Sequence, residues 1–293
     1  MSENGSTLAR RQLGKYLRDG REGCGLTLRQ AADLIQRSAS TLQRIEKGTV
    51  VHLREVDLEA LCKIYDFSAD HTAAMKGLAA QGNEESWWCE YGGVIPKGFQ
   101  FFVGLEAAAW RLTTYEPEFV PGLLQTPAYA GSLMRAAHPE DSVEEHSRRV
   151  RFRMQRQVRI TRKHKPAILD VLIRESVLNG VVGGPKVMAT QLKHLADSGT
   201  RSNVSVRILP FSVGFPLGEA VGPLTILEFG VDRTGCEIQP PVVYSESFIG
   251  ELYLSKPDAV GRYSDAYSCL RKAALDPGAS RHLLRQAAKE YAS

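Results

Sequence analysis

The segment from Thr27 to Gly48 constrains the fold most, because it has the pattern of two short amphipathic helices joined by a tight turn. Its sequence is TLRQAADLIQRSASTLQRIEKG. In its first half, apolar residues recur at the helical spacing i, i+3, i+4 and i+7, namely Leu28, Ala31, Ala32 and Ile35. Thr27 and Gln30 have the spacing of a capping box, which predicts that the first helix begins there.

The second half of the segment predicts another helix after about three residues of turn. Ser38 is a suitable N-cap, Leu42 and Ile45 are the inward residues, and Gly48 suits the left-handed position that follows a helix. Two short helices with a tight turn between them have helix-turn-helix geometry.

The outward side of the second helix carries hydrogen-bonding side chains, namely Ser40, Thr41, Gln43, Arg44 and Lys47. A helix of this kind fits the major groove of duplex DNA, which is about 12 Å wide. In that groove Gln pairs with adenine and Arg with guanine. The alternative is an amphipathic helix pair with a structural role only.

Positive charge is concentrated in the same region. The chain has 293 residues with 37 Lys and Arg against 33 Asp and Glu, so its net charge is only +4. Residues 9–54 hold ten basic and four acidic side chains, a local net charge of +6. Residues 55–82 hold two basic and five acidic side chains, a local net charge of −3. A basic excess confined to one region is the electrostatic footprint expected of a DNA-binding protein.

At these residues the sequence resembles the Xre/lambda-repressor-like helix-turn-helix family, whose recognition-helix signature is similar to Ser38, Ser40, Leu42, Arg44, Ile45, Glu46 and Gly48. A serine is commoner where Gln43 stands, so Gln43 is expected to shift base preference without altering the fold. The resemblance implies five helices, with Gln30 holding a backbone phosphate and residues 40–44 reading bases. The residues predicted to bind double-stranded DNA are Arg29, Gln30, Ser38, Ser40, Thr41, Gln43, Arg44 and Lys47.

Beyond this region the composition changes, and three parts are expected: a helix-turn-helix domain at 1–82, a connector with an aromatic anchor at 83–98, and a larger domain at 99–293. Runs rich in Val, Ile and Leu predict strands at Ala167–Ile173, Val204–Leu209, Leu224–Phe229 and Val242–Tyr244. Helices are predicted at Val103–Thr114, Pro127–Ala137, from Pro185 to near Asp197, and in two segments opened by Pro257 and Pro277. The predicted class is α+β, an all-α five-helix domain followed by a mixed domain with a small sheet.

The larger domain also resembles a known family. The strings EPEFVPGLLQTPAYA, GGPKVMATQLKHL, VRILPF and VVYSESFIGELYL are similar to the domain of unknown function DUF5753, which follows an Xre-type helix-turn-helix in many actinobacterial regulators. The resemblance runs from about Trp87 to Ala292. It implies a family but no mechanism, because the family has no settled activity.

Two carboxylates of this domain are expected at strand ends, where sheet proteins often place site residues. Glu175 follows the strand ending at Ile173 by two residues, and Glu246 follows Tyr244 by two. With Arg174 and Tyr244 they form a candidate cluster for a small ligand or for acid/base chemistry. The alternative is a set of ordinary strand-end ion pairs. Because no nucleophile, metal-ligand set or glycine-rich phosphate loop accompanies them, we predict no catalytic residue and no enzyme activity.

The stretch from His146 to Lys165 contains nine Lys or Arg and no acidic residue. One interpretation is a second phosphate-contacting surface or a surface for an acidic partner protein. The favoured interpretation is a solvated helix, neutralised by acidic residues just upstream, namely Glu140, Asp141, Glu144 and Glu145.

Other protein classes are disfavoured. No window reaches the roughly 18 consecutive apolar residues of a membrane span, and the first 25 residues lack the apolar core of a signal peptide. A cytoplasmic protein without membrane association is therefore expected. The five scattered cysteines form no CxxC pair, and the seven histidines form no HExxH motif, so neither a metal site nor a cofactor is predicted.

These patterns favour a sequence-specific transcriptional regulator. One small helix-turn-helix reads about half a turn of DNA, so we expect a homodimer on half-sites about 34 Å apart. The C-terminal domain is expected to dimerise and to receive a signal from a small-molecule effector or a small partner protein, and the candidate interface residues are Leu270, Ala274, Leu283 and Leu284. The alternatives are an antitoxin-like or co-regulator module that captures a small partner protein, and an enzyme fused to a DNA reader that uses Glu175 or Glu246.

Overall fold

A computed structural model describes residues 8–50, 53–68, 71–72, 75–76, 79, 87–91, 93–230 and 240–292. Within these residues the chain divides into two compact units. The first unit comprises Met1–Gly92 and Pro96–Ala108, and the second comprises Gly93–Ile95 and Ala109–Ser293. The domain limits expected from the sequence, 1–82, 83–98 and 99–293, stay a prediction.

The first unit is helical throughout its described residues. Its helices are α1 (Leu8–Gly23), α2 (Leu28–Leu34), α3 (Ala39–Glu46), α4 (Glu55–Ile64) and, after a 3₁₀ turn at Trp87–Tyr91, α5 (Lys97–Ala108). The inward faces of the first four helices meet in one core that includes Leu17, Ala32, Leu42, Leu58 and Leu61. The segment expected to form the fifth helix of the DNA-binding domain lies largely outside the described residues.

The second unit is built on one six-stranded sheet. Its strands are β1 (Arg111–Glu116), β2 (Ile168–Arg174), β3 (Val204–Leu209), β4 (Leu224–Glu228), β5 (Val242–Ser247) and β6 (Gly250–Leu254). The strand order is β3-β2-β1-β4-β5-β6. The strands β1, β2 and β3 are parallel, and the ladders that add β4, β5 and β6 are antiparallel. The sheet is therefore mixed, and the predicted α+β class is confirmed.

Helices surround this sheet. They are α6 (Pro127–Ala137), α7 (Val143–Arg156), α8 (Val158–Thr161), α9 (Ser176–Asn179), α10 (Pro185–Ser198), α11 (Pro257–Ala273) and α12 (Pro277–Glu290). One face of the sheet packs on α11, where Tyr115, Leu172 and Val243 share a buried cluster with Tyr267 and Leu270. Apolar burial of this kind supplies most of the stabilisation of the unit.

Several predicted elements have the expected bounds. The helix Pro127–Ala137 begins at a Thr126 side chain that accepts from the backbone N–H of Tyr129, and the strand Val204–Leu209 is also found as predicted. The prediction of one helix over Val103–Thr114 is wrong in its second half, since the helix ends at Ala108 and Arg111–Glu116 is a strand. The physical reason is local: Thr113, Thr114 and Tyr115 favour a pleated, buried surface over a helix.

Candidate nucleic-acid interface

The first helix of the motif begins with the predicted capping box. The Thr27 side chain accepts from the backbone N–H of Gln30 at 3.3 Å, and the Gln30 Oε1 atom accepts from the backbone N–H of Thr27 at 2.9 Å. Ala31, Ala32 and Ile35 are buried, as their spacing predicts. The box fixes the start of α2 through the Oε1 atom of Gln30 and does not use the Nε2 amide of that side chain.

The turn into α3 is held by a left-handed residue that is not glycine. Gln36 has φ 54°, and the backbone N–H of Arg37 returns to the carbonyl of Ala32 at 2.9 Å. The Arg37 side chain pairs with Asp57, which Arg54 also contacts. Burial raises the pKa of Asp57, but hydrogen bonds from Arg54 and Arg37 outweigh it and hold that pKa below its usual range. This paired carboxylate ties the turn to the start of α4.

The predicted recognition helix α3 is capped by Ser38, whose side chain accepts from the backbone N–H of Thr41 at 3.1 Å. Its inward residues Leu42 and Ile45 are 0% and 5% exposed. Its outward side has the predicted polar character: Ser40, Gln43, Arg44 and Lys47 are exposed and Thr41 is half-buried. The capped helix therefore holds these side chains on one accessible surface.

Glycine at position 48 ends α3 and allows α1 to come close. Gly48 has φ 67°, and the next backbone N–H, that of Thr49, bonds to the carbonyl of Arg44 at 3.0 Å. A Cβ atom at Gly48 would lie 2.7 Å from the backbone nitrogen of Arg11. Both the conformation and the space therefore require glycine at this position.

Glu46 belongs to α3 but faces inward, where it is 4% exposed. It accepts from Arg21 of α1 through both carboxylate oxygens, at 2.7 and 3.0 Å. Arg18 adds a contact of 3.6 Å from its Nε atom to the same carboxylate. Burial, followed by the charge of Glu46, raises the pKa of the nearby Tyr65. These contacts join the last turn of α1 to the end of the predicted recognition helix.

The structure reduces the number of basic side chains that can face a duplex. Of the ten counted in residues 9–54, four are paired with Glu46 or Asp57, namely Arg18, Arg21, Arg37 and Arg54. The exposed basic residues without a described carboxylate partner are Lys15, Arg29, Arg44 and Lys47. Charge counting missed this distinction because two of these pairs, Arg37–Asp57 and Arg21–Glu46, join residues that are 20 and 25 positions apart in sequence.

The four candidate ligand residues of the second unit lie at the same end of the sheet, where β2 and β5 finish, but form two separate pairs. Arg174 ends β2, lies over the Phe215 ring at 4.6 Å and bonds to the carbonyl of Gly214 at 3.3 Å. Glu175 accepts from the backbone N–H of Phe211 at 2.6 Å. These contacts hold the loop after β3 against the end of β2.

The second pair lies on β5, where the Tyr244 hydroxyl donates to Glu246 at 3.1 Å. Because β1 and β4 separate β2 from β5, the two pairs are about 14 Å apart by ordinary strand spacing. The expectation of one cluster formed by all four residues therefore finds no support in the strand order. Their role in ligand binding stays a prediction.

Sequence reasoning missed Glu116, the carboxylate at the end of β1. Burial, together with the negative charge of Glu246, raises the pKa of Glu116 to about 8, against the opposing effect of Arg153. Glu246 lies directly opposite Glu251 in the β5–β6 ladder. Like charges that face each other across strands are destabilising, and the charge of Glu246 adds to burial in favouring the protonated forms of Glu116 and Glu251. The signal was hidden because the sequence pattern placed β1 in a helix.

Comparison with protein families agrees with both halves of this description. The model of a helix-turn-helix domain matches residues 12–75, and the model of a domain of unknown function, DUF5753, matches residues 99–286. The chain belongs to the DUF5753 family. The predicted combination of a helix-turn-helix domain with DUF5753 is thus confirmed, and the helix-turn-helix domain indicates a DNA-binding regulator. No curated protein and no solved structure matches the chain.

The basic run of the DUF5753 domain is largely engaged in holding the fold. Arg149 pairs with Asp141, as the favoured interpretation expects. Arg159 donates from Nε to the carbonyl of Ala109 at 3.1 Å, and Arg156 is only 5% exposed. The pairing of Arg149 supports neutralisation by the upstream acidic residues, whereas Arg156 and Arg159 pack against the domain and do not belong to a solvated surface. Whether the rest of the run contacts DNA stays a prediction.

In the part of the chain that the structure describes, one group of possible metal ligands is found, since atoms of His138, Glu140 and Asp141 lie within 4.8 Å of one another. Asp141 is already bound by Arg149, whose hydrogen bond lowers the pKa of that carboxyl. The group gives no support for a metal site beyond proximity. Among the described residues, no helix combines the length and apolar character needed to cross a membrane.

Proposed function

We propose that this protein is a sequence-specific transcriptional regulator that binds duplex DNA as a homodimer through α3. The observation that carries the proposal is the two-sided character of that helix: Leu42 and Ile45 are in the core while Gln43 and Arg44 are exposed. Side chains held in this way can form bidentate hydrogen bonds to adenine and guanine in the major groove. A reader module of this size needs a second copy for useful specificity.

We further propose separate roles for the residues around the base-reading positions. The amide of Gln30 and the charged groups of Arg29 and Lys47 would contact phosphates, which fix the position of the domain on the duplex. Ser38 would act mainly as the cap of α3, with Ser40 and Thr41 beside the bases. The phosphate contacts of Gln30, Arg29 and Lys47 would carry no sequence information by themselves.

The DUF5753 domain would hold the two copies of the chain together as a dimer. It would also receive a signal from a small-molecule effector or a small partner protein. The end of the sheet with the hydrogen-bonding groups of Glu116, Tyr244 and Glu246 supports a receptor for a cationic or hydrogen-bonding group. A helix-turn-helix domain favours this regulatory role over an enzyme. A regulator of this kind acts on the chromosome, so a cytoplasmic location is expected.

The test is selection of duplexes from a random pool by the full chain, followed by titration of the selected and a scrambled duplex. We expect the wild-type chain to prefer the selected duplex and Arg44→Ala to lose about 1–3 kcal/mol of that preference. The matched control is Arg262→Ala, which removes an exposed arginine from α11. Equal preference in the wild-type chain and Arg44→Ala would overturn the assignment of α3 as the reading helix.

A further inference from the structure

The DUF5753 domain contains a cavity of about 540 Å³ between α6, α7 and the start of α10. A volume of roughly 300 to 1,000 Å³ is typical of sites that hold small organic molecules. The lining includes none of the three residues at the sheet end, Glu116, Tyr244 and Glu246, and α7 contributes to it only through its first half. The cavity is therefore a separate place in this domain with room for a ligand.

Glycine allows one wall of the cavity to pack closely on another. Gly183 has φ 70°, and a Cβ atom at this position would overlap the Oγ atom of Ser132 on α6. Both the conformation and the space therefore require glycine. The chain continues through Gly184, at φ 90°, into α10, and no side chain of the described residues caps that helix. The first turn of α10 lines the cavity at Val187, so the positive end of the helix dipole lies beside it.

Two side chains that can carry positive charge meet in this cavity. The Nη2 atom of Arg135 on α6 lies 3.3 Å from the Nε2 atom of His146 on α7. Because a guanidinium offers only donors, the Nε2 atom of His146 accepts this hydrogen bond, and its imidazole is then neutral with the proton on Nδ1. Arg135 thus supplies one full positive charge and keeps most of its donors for a ligand.

No carboxylate neutralises this charge within the part of the chain that the structure describes. None of the lining residues is acidic, and the polar partner of the Arg135 side chain is His146. Asp141, whose charge acts on His146, is bound by Arg149 instead. A guanidinium forms its strongest hydrogen bonds with anionic oxygen atoms, so the ligand that this cavity favours is an anion.

We propose that the cavity binds a small organic acid, with its carboxylate on Arg135 and its apolar body against Val150 and Val187. The planar guanidinium matches a carboxylate through two parallel hydrogen bonds. One positive charge balances a monocarboxylate, whereas a phosphate group carries a charge of about −1.5 to −2 at neutral pH. The inference goes beyond the proposed function and does not depend on it, because the site needs neither DNA nor a second copy of the chain.

The experiment is calorimetric titration of the full chain with benzoate, with benzamide as an uncharged ligand of the same shape and inorganic phosphate as a second oxyanion. We expect a dissociation constant for benzoate on the order of 1 mM or lower, and at least about tenfold below that for benzamide. Inorganic phosphate should bind more weakly than benzoate. The chemical shifts of the Val150 and Val187 methyl groups should change as benzoate is added, which places the probe in the cavity.

Two variants test the site itself. Arg135→Gln removes the positive charge and should weaken the binding of benzoate about tenfold, to the level of benzamide. Ser147→Trp fills the cavity from an exposed position of α7 and should abolish the binding of both probes. The matched control is Arg262→Gln, which removes an exposed arginine of α11 and should bind benzoate like the wild-type chain. Circular dichroism of each variant shows whether it is folded.

Equal affinities for benzoate and benzamide, or a wild-type affinity for benzoate in folded Arg135→Gln, overturn the proposal. Failure of benzoate to bind, or its binding without a change in the two valine signals, also overturns it. Tighter binding of phosphate than of benzoate would assign the cavity to a phosphate ligand and refute the organic acid. A chain that binds benzoate but ignores duplex DNA would contradict the proposed function alone, whereas a DNA-binding chain without the benzoate site would contradict only this inference.

Discussion

Arg21 holds both carboxylate oxygens of Glu46, with distances of 2.7 Å from Nε and 3.0 Å from Nη2. The side chain of Arg21 is 9% exposed and that of Glu46 is 2% exposed. The pair therefore joins α1 to the end of α3 in a largely buried place. Its planar, two-bond geometry restricts how α3 can rotate, and thereby fixes which side chains face outward.

Breaking this pair is expected to destabilise the helix-turn-helix domain. Arg21→Ala leaves the buried Glu46 carboxylate with only the longer contact to Arg18, and we expect a loss of about 3 kcal/mol. The measurement is urea denaturation of the full chain together with hydrogen exchange of the amides of α1 and α3. The control is Arg18→Ala, which removes a side chain that is 44% exposed and should cost less than about 1 kcal/mol. Equal losses in the two variants would contradict the role given to Arg21.

The end of α3 gives a second prediction. Gly48→Ala introduces a Cβ atom 2.7 Å from the backbone nitrogen of Arg11 at φ 67°, and we expect it to destabilise the domain by about 2–4 kcal/mol. Gly25→Ala is a matched control, since Gly25 has φ 68° with nothing within 4 Å. It should show only the conformational cost of about 1–2 kcal/mol. The same urea and exchange measurements compare the two, and the close approach of α1 to α3 is disproved if the losses are the same.

Local signals of the sequence predicted the helix caps of the candidate interface correctly. The capping box of Thr27 and Gln30 and the cap at Ser38 are found as expected, because each depends on residues three positions apart. The Arg21–Glu46 pair was not predicted, since it joins residues 25 positions apart and depends on how α1 crosses α3. Glu46 was recognised as part of a signature, but its inward orientation comes from tertiary packing.

The fold of the second unit was predicted where proline or a long apolar run marks an element. Pro127, Pro185, Pro257 and Pro277 each occupy the first turn of a helix. The strand β6 was missed because Gly250–Leu254 has only five residues and, as an edge strand, buries none of them fully. Strand order could not be predicted either, since it depends on contacts between distant segments, and for that reason Glu175 and Glu246 were expected to be closer than the sheet allows.

The proposed phosphate contacts predict a salt dependence. Lys47→Ala should weaken binding to selected and scrambled duplexes alike and reduce the slope of log affinity against log salt by about 0.9, since one phosphate contact is lost. Fluorescence anisotropy at several salt concentrations measures this slope. The control is Lys193→Ala, an exposed lysine of α10, which should leave the slope unchanged. A change of base preference without a change of slope would show that Lys47 contacts bases instead.

Glu116 predicts a pH dependence of the stability of the DUF5753 domain. Burial and the charge of Glu246 raise its pKa in the folded protein from 4.5 to about 8. Between these two values the folded state binds more protons than the unfolded state, so the stability falls as the pH rises. Because the side chain keeps some exposure, we expect a loss on the order of 1–2 kcal/mol across this range.

Glu116→Gln removes the titrating group and should flatten this dependence, leaving the variant more stable than the wild-type chain near pH 8 and about equal to it near pH 5. Thermal denaturation at a series of pH values, followed by exchange of the amides of β1 and β5, makes the comparison. Glu219→Gln is the control, because Glu219 is exposed and is not among the charges that act on Glu116, so this variant should retain the wild-type profile. If Glu116→Gln shows the same fall between pH 5 and pH 8 as the wild-type chain, then another group is responsible and Glu116 is ionised in the folded domain like an ordinary surface carboxylate.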